Sequence, residues 1–77
     1  MKIEVKIPRR FITKDINEIA NLVKELAKVF NIKIEKLTWE IISSNKVLFY
    51  QFTDKLEKKQ CAIVRFGRKY IHISLNI

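Results

Sequence analysis

The sequence predicts a small α+β domain in which one amphipathic helix packs on one face of a mostly antiparallel sheet. Three observations predict this fold. Apolar residues alternate over positions 1–7, recur at three- and four-residue steps over about residues 15–31, and alternate again from residue 37 onward. The expected element order is β-α-β-β-β-β, in a single two-layer domain spanning residues 1–77.

The composition is that of a folded chain. Hydrophobic residues make up 48% of the sequence, and glycine and proline occur once each. A disordered chain lacks the apolar area that offsets the entropy lost on ordering. Cys61 is the only cysteine, so we expect a fold without disulfides in the reducing cytoplasm. The lysine-rich, methionine-poor composition fits a thermophile and equally an AT-rich genome.

The first strand and the helix follow from local patterns. Over residues 1–7, Ile3 and Val5 alternate with charged residues, and Pro8 ends the strand because proline donates no ladder hydrogen bond. A basic loop follows. Asp15, with Glu18 three residues later, predicts the start of the helix, and Thr13 is the alternative cap. The predicted helix covers about residues 15–31, with an apolar face that runs from Ile16 to Phe30.

Two hairpins are predicted after the helix. In the first, Ser44-Asn45 forms the turn, so that Trp39 lies opposite Tyr50 and both face the helix. Residues 53–60 form a charged loop. In the second, Gly67-Arg68 forms a type II′ turn between residues 61–66 and 70–77. Arg65 then lies opposite Tyr70, where a guanidinium can stack on the ring.

This arrangement leaves one face of the sheet without a helix to cover it. We expect basic, aromatic and apolar side chains to be interleaved there: Lys2, Lys6, Thr38, Ile42, Val47, Phe49, Gln51, Ile63, Arg65, Tyr70, His72 and Ser74.

The net charge of +8 is concentrated at the two ends of the chain. Residues 1–14 hold five bases and one acid, residues 15–57 six bases and seven acids, and residues 58–77 five bases and no acid. The local net charges are therefore +4, −1 and +5. If the first strand lies antiparallel beside the last, Arg9-Arg10 and Arg68-Lys69 form one basic patch.

Two functions fit these features. The first is a nucleic-acid-binding domain, with RNA or single strands slightly favoured, because basic residues attract phosphates and exposed aromatic rings stack on bases. Its expected contacts are Arg9, Arg10, Lys58, Lys59, Arg65, Arg68 and Lys69 for phosphates, with Phe49 and Tyr70 as stacking residues. The second is a protein-interaction module, such as a small subunit of a complex, a viral or host regulator, or a homodimer. Its expected interface is Ile42, Val47, Phe49 and Ile63.

Enzymatic activity is not expected. His72 and Cys61 are each the only residue of their type, and in the predicted register they share a face. However, no third residue orients the imidazole, and one histidine with one cysteine is too few for a metal site. A small buried cysteine and a surface histidine are favoured. We therefore predict no cofactor and no small-molecule substrate, and since no apolar run approaches the roughly 18–20 residues of a membrane span, no membrane partner.

Overall fold

The computed structural model describes residues 2–11, 15–32, 34, 36–52 and 57–76. Within those residues it contains one antiparallel sheet and one α-helix, which confirms the predicted α+β fold and element order. The elements are β1 (Lys2–Pro8), a short 3-10 helix (Arg9–Phe11), α1 (Ile16–Val29), β2 (Leu37–Ser43), β3 (Lys46–Phe52), β4 (Lys58–Phe66) and β5 (Tyr70–Asn76).

The sheet has the strand order β1-β5-β4-β3-β2, and every neighbouring pair is antiparallel. The chain begins at one edge with β1 and reaches the opposite edge, β2, by way of α1. It then returns strand by strand until β5 lies beside β1. The adjacency of the first and last strands, on which the predicted basic patch depends, is therefore confirmed.

The helix begins where its sequence predicts. The Asp15 carboxylate accepts a hydrogen bond from the backbone N–H of Asn17 at 3.0 Å, which satisfies one of the free donors of the first turn. The alternative cap, Thr13, lies outside the described residues. Within the part of the chain that the structure describes, no helix is long and apolar enough to span a membrane.

The helix ends at Val29, and a residue in the left-handed backbone conformation follows it. Asn31 has a φ of 61°, and the N–H groups of Asn31 and Ile32 donate to carbonyls in the last helical turn, as in a Schellman motif. Phe30, expected on the apolar face, is instead the C-cap residue and is 41% exposed.

The core lies between α1 and one face of the sheet, which we call the inner face. Phe49, Val64 and Ile73 are fully buried and form one cluster with Ile19 and Val23 of the helix. Leu37, Trp39 and other half-buried side chains surround them. The opposite face, which no described element covers, is called the open face. The buried cluster comprises Ile19, Ala20, Val23, Val47, Phe49, Cys61, Ala62, Val64, Ile71, Ile73 and Leu75.

The first hairpin differs from the prediction by one residue. Its turn is at Ser44-Asn45 as expected, but a β-bulge at Ile42 shifts the pairing of the rest of the strand. Trp39 consequently pairs with Phe49 and not with Tyr50. Because side chains alternate between the faces of a sheet, a one-residue shift exchanges the two faces of β3.

This shift corrects two of the predicted site assignments. Val47 and Phe49 are 4% and 0% exposed and belong to the core, so the prediction that they form a partner interface is wrong. Phe49 is not available to stack on a base either, because its ring packs at 6.1 Å from that of Trp39. Tyr50, expected in the core, faces the open side.

The strand pairing of the second hairpin differs from the prediction by two residues. The N–H of Gly67 donates to the carbonyl of Tyr70 at 2.9 Å, so Arg68 and Lys69 are the central residues of the turn, and the predicted Gly67-Arg68 centre is wrong. Gly67 lacks a positive φ, but a Cβ there would lie 2.8 Å from the Tyr70 oxygen. Arg65 pairs with His72 and not with Tyr70. An even shift keeps residues 62–66 and 70–76 on their predicted faces, whereas Cys61, predicted on the open face, is buried in the core.

Strand β4 begins earlier than expected. Lys58 and Lys59, predicted in a loop, are the first residues of the strand, where they pair with Phe52 and Gln51. A second bulge, at Cys61, lies between this segment and the rest of β4. The remaining residues of the predicted loop, 53–56, lie outside the described part of the chain.

Candidate functional site

Four basic residues meet at the edge of the sheet where β1 ends and the β4–β5 hairpin turns. The Arg9 N–H donates to the Lys69 carbonyl at 2.9 Å, and the Arg9 Nη1 donates to the Gly67 carbonyl at 2.8 Å. Arg68 and Lys69 are exposed at the tip of the turn. The resulting open cleft, of about 470 Å³, is lined by Pro8, Arg9, Arg10, Arg68, Lys69 and Tyr70. We call Arg9, Arg10, Arg68 and Lys69 the hairpin-end cluster.

The hairpin-end cluster confirms the predicted meeting of the two basic ends of the chain. Its geometry comes from the pairing of β1 with β5, which places Pro8 opposite Tyr70. Arg9 has a structural task as well, because its guanidinium holds the turn through Gly67. This hydrogen bond uses one of the five N–H donors of the guanidinium group. Guanidinium N–H groups also form strong, often bidentate hydrogen bonds with phosphate oxygens.

Tyr70 lies beside this cluster on the open face. Its ring is 39% exposed, and the Lys6 Nζ lies 4.3 Å from the ring centroid. The predicted stacking partner, Arg65, does not lie opposite Tyr70 but pairs with His72. A cation–π contact therefore does form at Tyr70, but β1 supplies the cation and β4 does not.

A row of three basic side chains and one histidine crosses the open face at right angles to the strands. Lys6 pairs with His72, His72 with Arg65, and Arg65 with Lys46, so the row crosses β1, β5, β4 and β3. At a strand spacing of about 4.8 Å, its backbone positions span roughly 14 Å. We call Lys6, His72, Arg65 and Lys46 the cationic row.

The next row toward the far end of the sheet is apolar in its middle and acidic at its edges. Ser74, Ile63 and Leu48 are consecutive partners and are half-buried, and we call them the central row. Glu4 on β1 and Glu40 on β2 lie at its two ends. Of the predicted interface residues, Ile63 thus lies on the open face as expected.

The far end of the open face carries a second tyrosine. The Lys58 Nζ lies 4.2 Å from the Tyr50 ring centroid, and the Tyr50 hydroxyl donates to Glu40 at 3.5 Å. Partial burial raises the pKa of Tyr50, and the negative charge of the nearby Glu40 carboxylate raises it further. Lys59 alternates to the inner side, where it borders a cavity of about 90 Å³ next to Cys61. Lys58 and Lys59 are thus separated from each other and from the hairpin-end cluster.

The structure does not bring Cys61 and His72 together. Cys61 is buried in the core, its Sγ donates to the Phe49 carbonyl at 3.5 Å, and burial raises its thiol pKa to about 11. His72 is exposed on the open face. The prediction that they share a face is wrong, and the favoured alternative of a buried cysteine and a surface histidine is confirmed. Among the described residues, no group of three His, Cys, Asp or Glu side chains is placed to hold a metal ion.

The edge strand β2 exposes two large apolar side chains. Ile41 is 64% exposed and Ile42, at the bulge, is 49% exposed. The hydrogen-bonding groups on the outer side of an edge strand are available to another strand. Of the four residues expected to form one apolar surface, Ile42 thus lies at this edge and Ile63 in the central row, while Val47 and Phe49 are in the core.

Sequence reasoning missed Lys46 and Tyr50 as open-face residues. Both follow from the shift at Ile42, which no feature of the β2 sequence marks. Lys6 and His72 were placed on the correct face, but their alignment with Arg65 depends on the register of the second hairpin.

Comparison of the chain with protein-family models, curated proteins and solved structures found no match. Fold and surface therefore define the class of protein: a small α+β domain with one helix on an antiparallel sheet, whose opposite face and hairpin end are basic.

Proposed function

We propose that this protein is a non-enzymatic nucleic-acid-binding domain that prefers RNA or single strands. The observation that carries this proposal is the hairpin-end cluster, which concentrates four basic side chains around an open cleft next to the exposed ring of Tyr70. Arginine and lysine neutralise phosphates and release counterions, while an exposed aromatic ring stacks on an unpaired base.

The electrostatics of the whole chain support the same function. A net charge of +8 raises the local concentration of a polyanion and speeds its association. Arg65 adds a positive charge on the open face near the hairpin-end cluster, whereas Lys58 lies at the far end of that face and Lys59 on the inner side. The buried, protonated thiol of Cys61 supports a binding role over nucleophilic chemistry.

The test is binding to labelled single-stranded RNA, single-stranded DNA and duplex DNA in a salt titration, with the double variant Arg68→Ala/Lys69→Ala. Both side chains are exposed, so the variant is expected to fold. Each lost phosphate contact reduces the slope of log K against log salt by about 0.7 on single strands. The double variant should therefore bind more weakly and lose roughly 1.4 from that slope.

The matched control is Lys24→Ala/Lys28→Ala, which removes two charges from the solvent side of α1. A general charge effect would weaken both double variants equally and would contradict the proposed site. Absence of binding by the wild type near physiological salt would contradict nucleic-acid binding itself.

A protein-interaction module is the second candidate, and the exposed edge of β2 favours it. A partner strand, including that of a second copy, would add to the sheet there and cover Ile41 and Ile42. Light scattering at increasing protein concentration gives the assembly state, and Ile42→Lys should dissociate an assembly formed at this edge. A monomeric wild type without a co-purifying protein would contradict this candidate.

A further inference from the structure

We infer that a single strand of nucleic acid crosses the open face along the cationic row, at right angles to the β-strands, with its bases turned toward the central row. This inference rests on the proposed function and adds to it the path, the orientation and the strandedness of the ligand. It also assigns binding roles to Lys6, His72 and Lys46, which lie outside the hairpin-end cluster.

The positive charges of the row and of the hairpin-end cluster lie close together. Arg65 lies two positions before Gly67, and Lys6 lies two before Pro8, so the cationic row borders the hairpin-end cluster directly. Neither Lys46 nor Arg65 forms an ion pair with any residue that the structure describes. Their charges are thus available to a ligand, and the row lies next to the cluster at the hairpin end of the sheet.

The chemistry of the open face changes from one row to the next. Phosphates are attracted by the cationic row and repelled by Glu4 and Glu40, which close the two ends of the central row. Between those carboxylates, Ile63 and Leu48 offer apolar area that a base can cover. A strand placed with its backbone on the cationic row and its bases over the central row satisfies both surfaces, and the reverse orientation satisfies neither.

The open face suits a single strand better than a duplex. A duplex keeps its bases stacked inside and presents a phosphate surface, so it would offer no base to the ring of Tyr70 or to the apolar side chains of the central row. Unpaired bases have free faces that can lie on both. A shallow depression of about 430 Å³, bordered by Arg65, His72 and Ser74, adds room on the open face where the two rows meet.

The test uses a third double variant, Lys46→Ala/Arg65→Ala, beside Arg68→Ala/Lys69→Ala and the helix control Lys24→Ala/Lys28→Ala. Each removes two positive charges. Binding is measured by fluorescence anisotropy with one RNA sequence as a single strand and as a duplex of the same length. Loss of two charge-assisted contacts should weaken single-strand binding by roughly tenfold or more and lower its salt slope by about 1.4. Circular dichroism melting confirms that each variant is folded.

The outcomes separate this inference from the proposed function. If the hairpin-tip variant weakens binding and the row variant behaves like the helix control, the crossing path is refuted and nucleic-acid binding stands. Equal or tighter binding of the duplex refutes the single-strand assignment. If the wild type binds neither form, both proposals fail together.

Backbone amide NMR gives a test without substitutions. Adding the single-stranded RNA should shift residues 46–48, 63–65 and 72–74, with α1 unaffected. Shifts confined to residues 9–10 and 68–69 would contradict the crossing path.

Discussion

Replacing Phe49 with alanine tests the strand register on which the open face depends. The ring is fully buried, and truncation of a buried phenylalanine to alanine costs about 3–5 kcal/mol. A domain of this size has roughly 4–12 kcal/mol of unfolding free energy, so the variant should lose a large share of it. The adjacent Tyr50→Ala should cost about 1 kcal/mol, because it removes only a surface cation–π contact with Lys58 and a long hydrogen bond to Glu40.

The assay is urea unfolding followed by far-UV circular dichroism, with the fluorescence of Trp39 as a second observable because its ring packs against Phe49. If Phe49→Ala does not fold, Phe49→Leu and Tyr50→Leu form a milder pair, with expected losses of roughly 1–2 kcal/mol and close to zero. A larger loss at position 50 than at position 49 would refute the register and, with it, the composition of the open face.

Three further predictions follow from individual residues. Asn31→Gly should raise the unfolding free energy by several tenths of a kcal/mol, and Asn31→Ala should lower it by about 1 kcal/mol, because the φ of 61° disfavours residues with a Cβ. Thermal melting measures both changes, and equal melting temperatures of the two variants would contradict the role of Asn31 in the helix cap. The Cys61 thiol should resist alkylation at pH 8 until the protein unfolds. Because its folded pKa is raised to about 11 from an ordinary value of 9.0, the thiol's contribution to stability is complete below about pH 9 and is lost as the pH rises toward 11; Cys61→Ala should lack this loss. Tyr70→Ala should weaken single-strand binding by about 1–3 kcal/mol while Tyr70→Phe retains it, and equal affinities of the two variants would exclude stacking.

Much of the candidate site could be predicted from local sequence. The charge distribution located the basic residues at the two ends of the chain, and the alternation in β1 and β5 placed Lys6, Tyr70 and His72 on the open face. The second hairpin was displaced by two residues in the prediction, yet its faces were correct from residue 62 onward, since an even displacement preserves the alternation of side chains. Cys61 is the exception, because it lies at a bulge and is buried in the core.

The first hairpin shows where local sequence is insufficient. Its turn was predicted correctly, but the extra residue at Ile42 changed the parity of the pairing. Leu48, Phe49 and Tyr50 are all large, so the hydrophobic pattern of β3 alone does not decide which of them faces inward. Burial in the shared core decides it, because Phe49 joins the buried cluster that includes Ile19 and Val23, and Tyr50 keeps its hydroxyl in solvent.

The amino-acid sequence by itself determined the elements, their order, the helix cap at Asp15 and the excess of positive charge at both ends, because each depends on neighbours a few residues apart. Only the tertiary structure decided that β1 lies beside β5, that the bulges at Ile42 and Cys61 set the faces of the central strands, and that Lys6, His72, Arg65 and Lys46 align. Those features depend on pairings between distant segments. Such pairings are selected by the burial of one shared core, and not by local propensity.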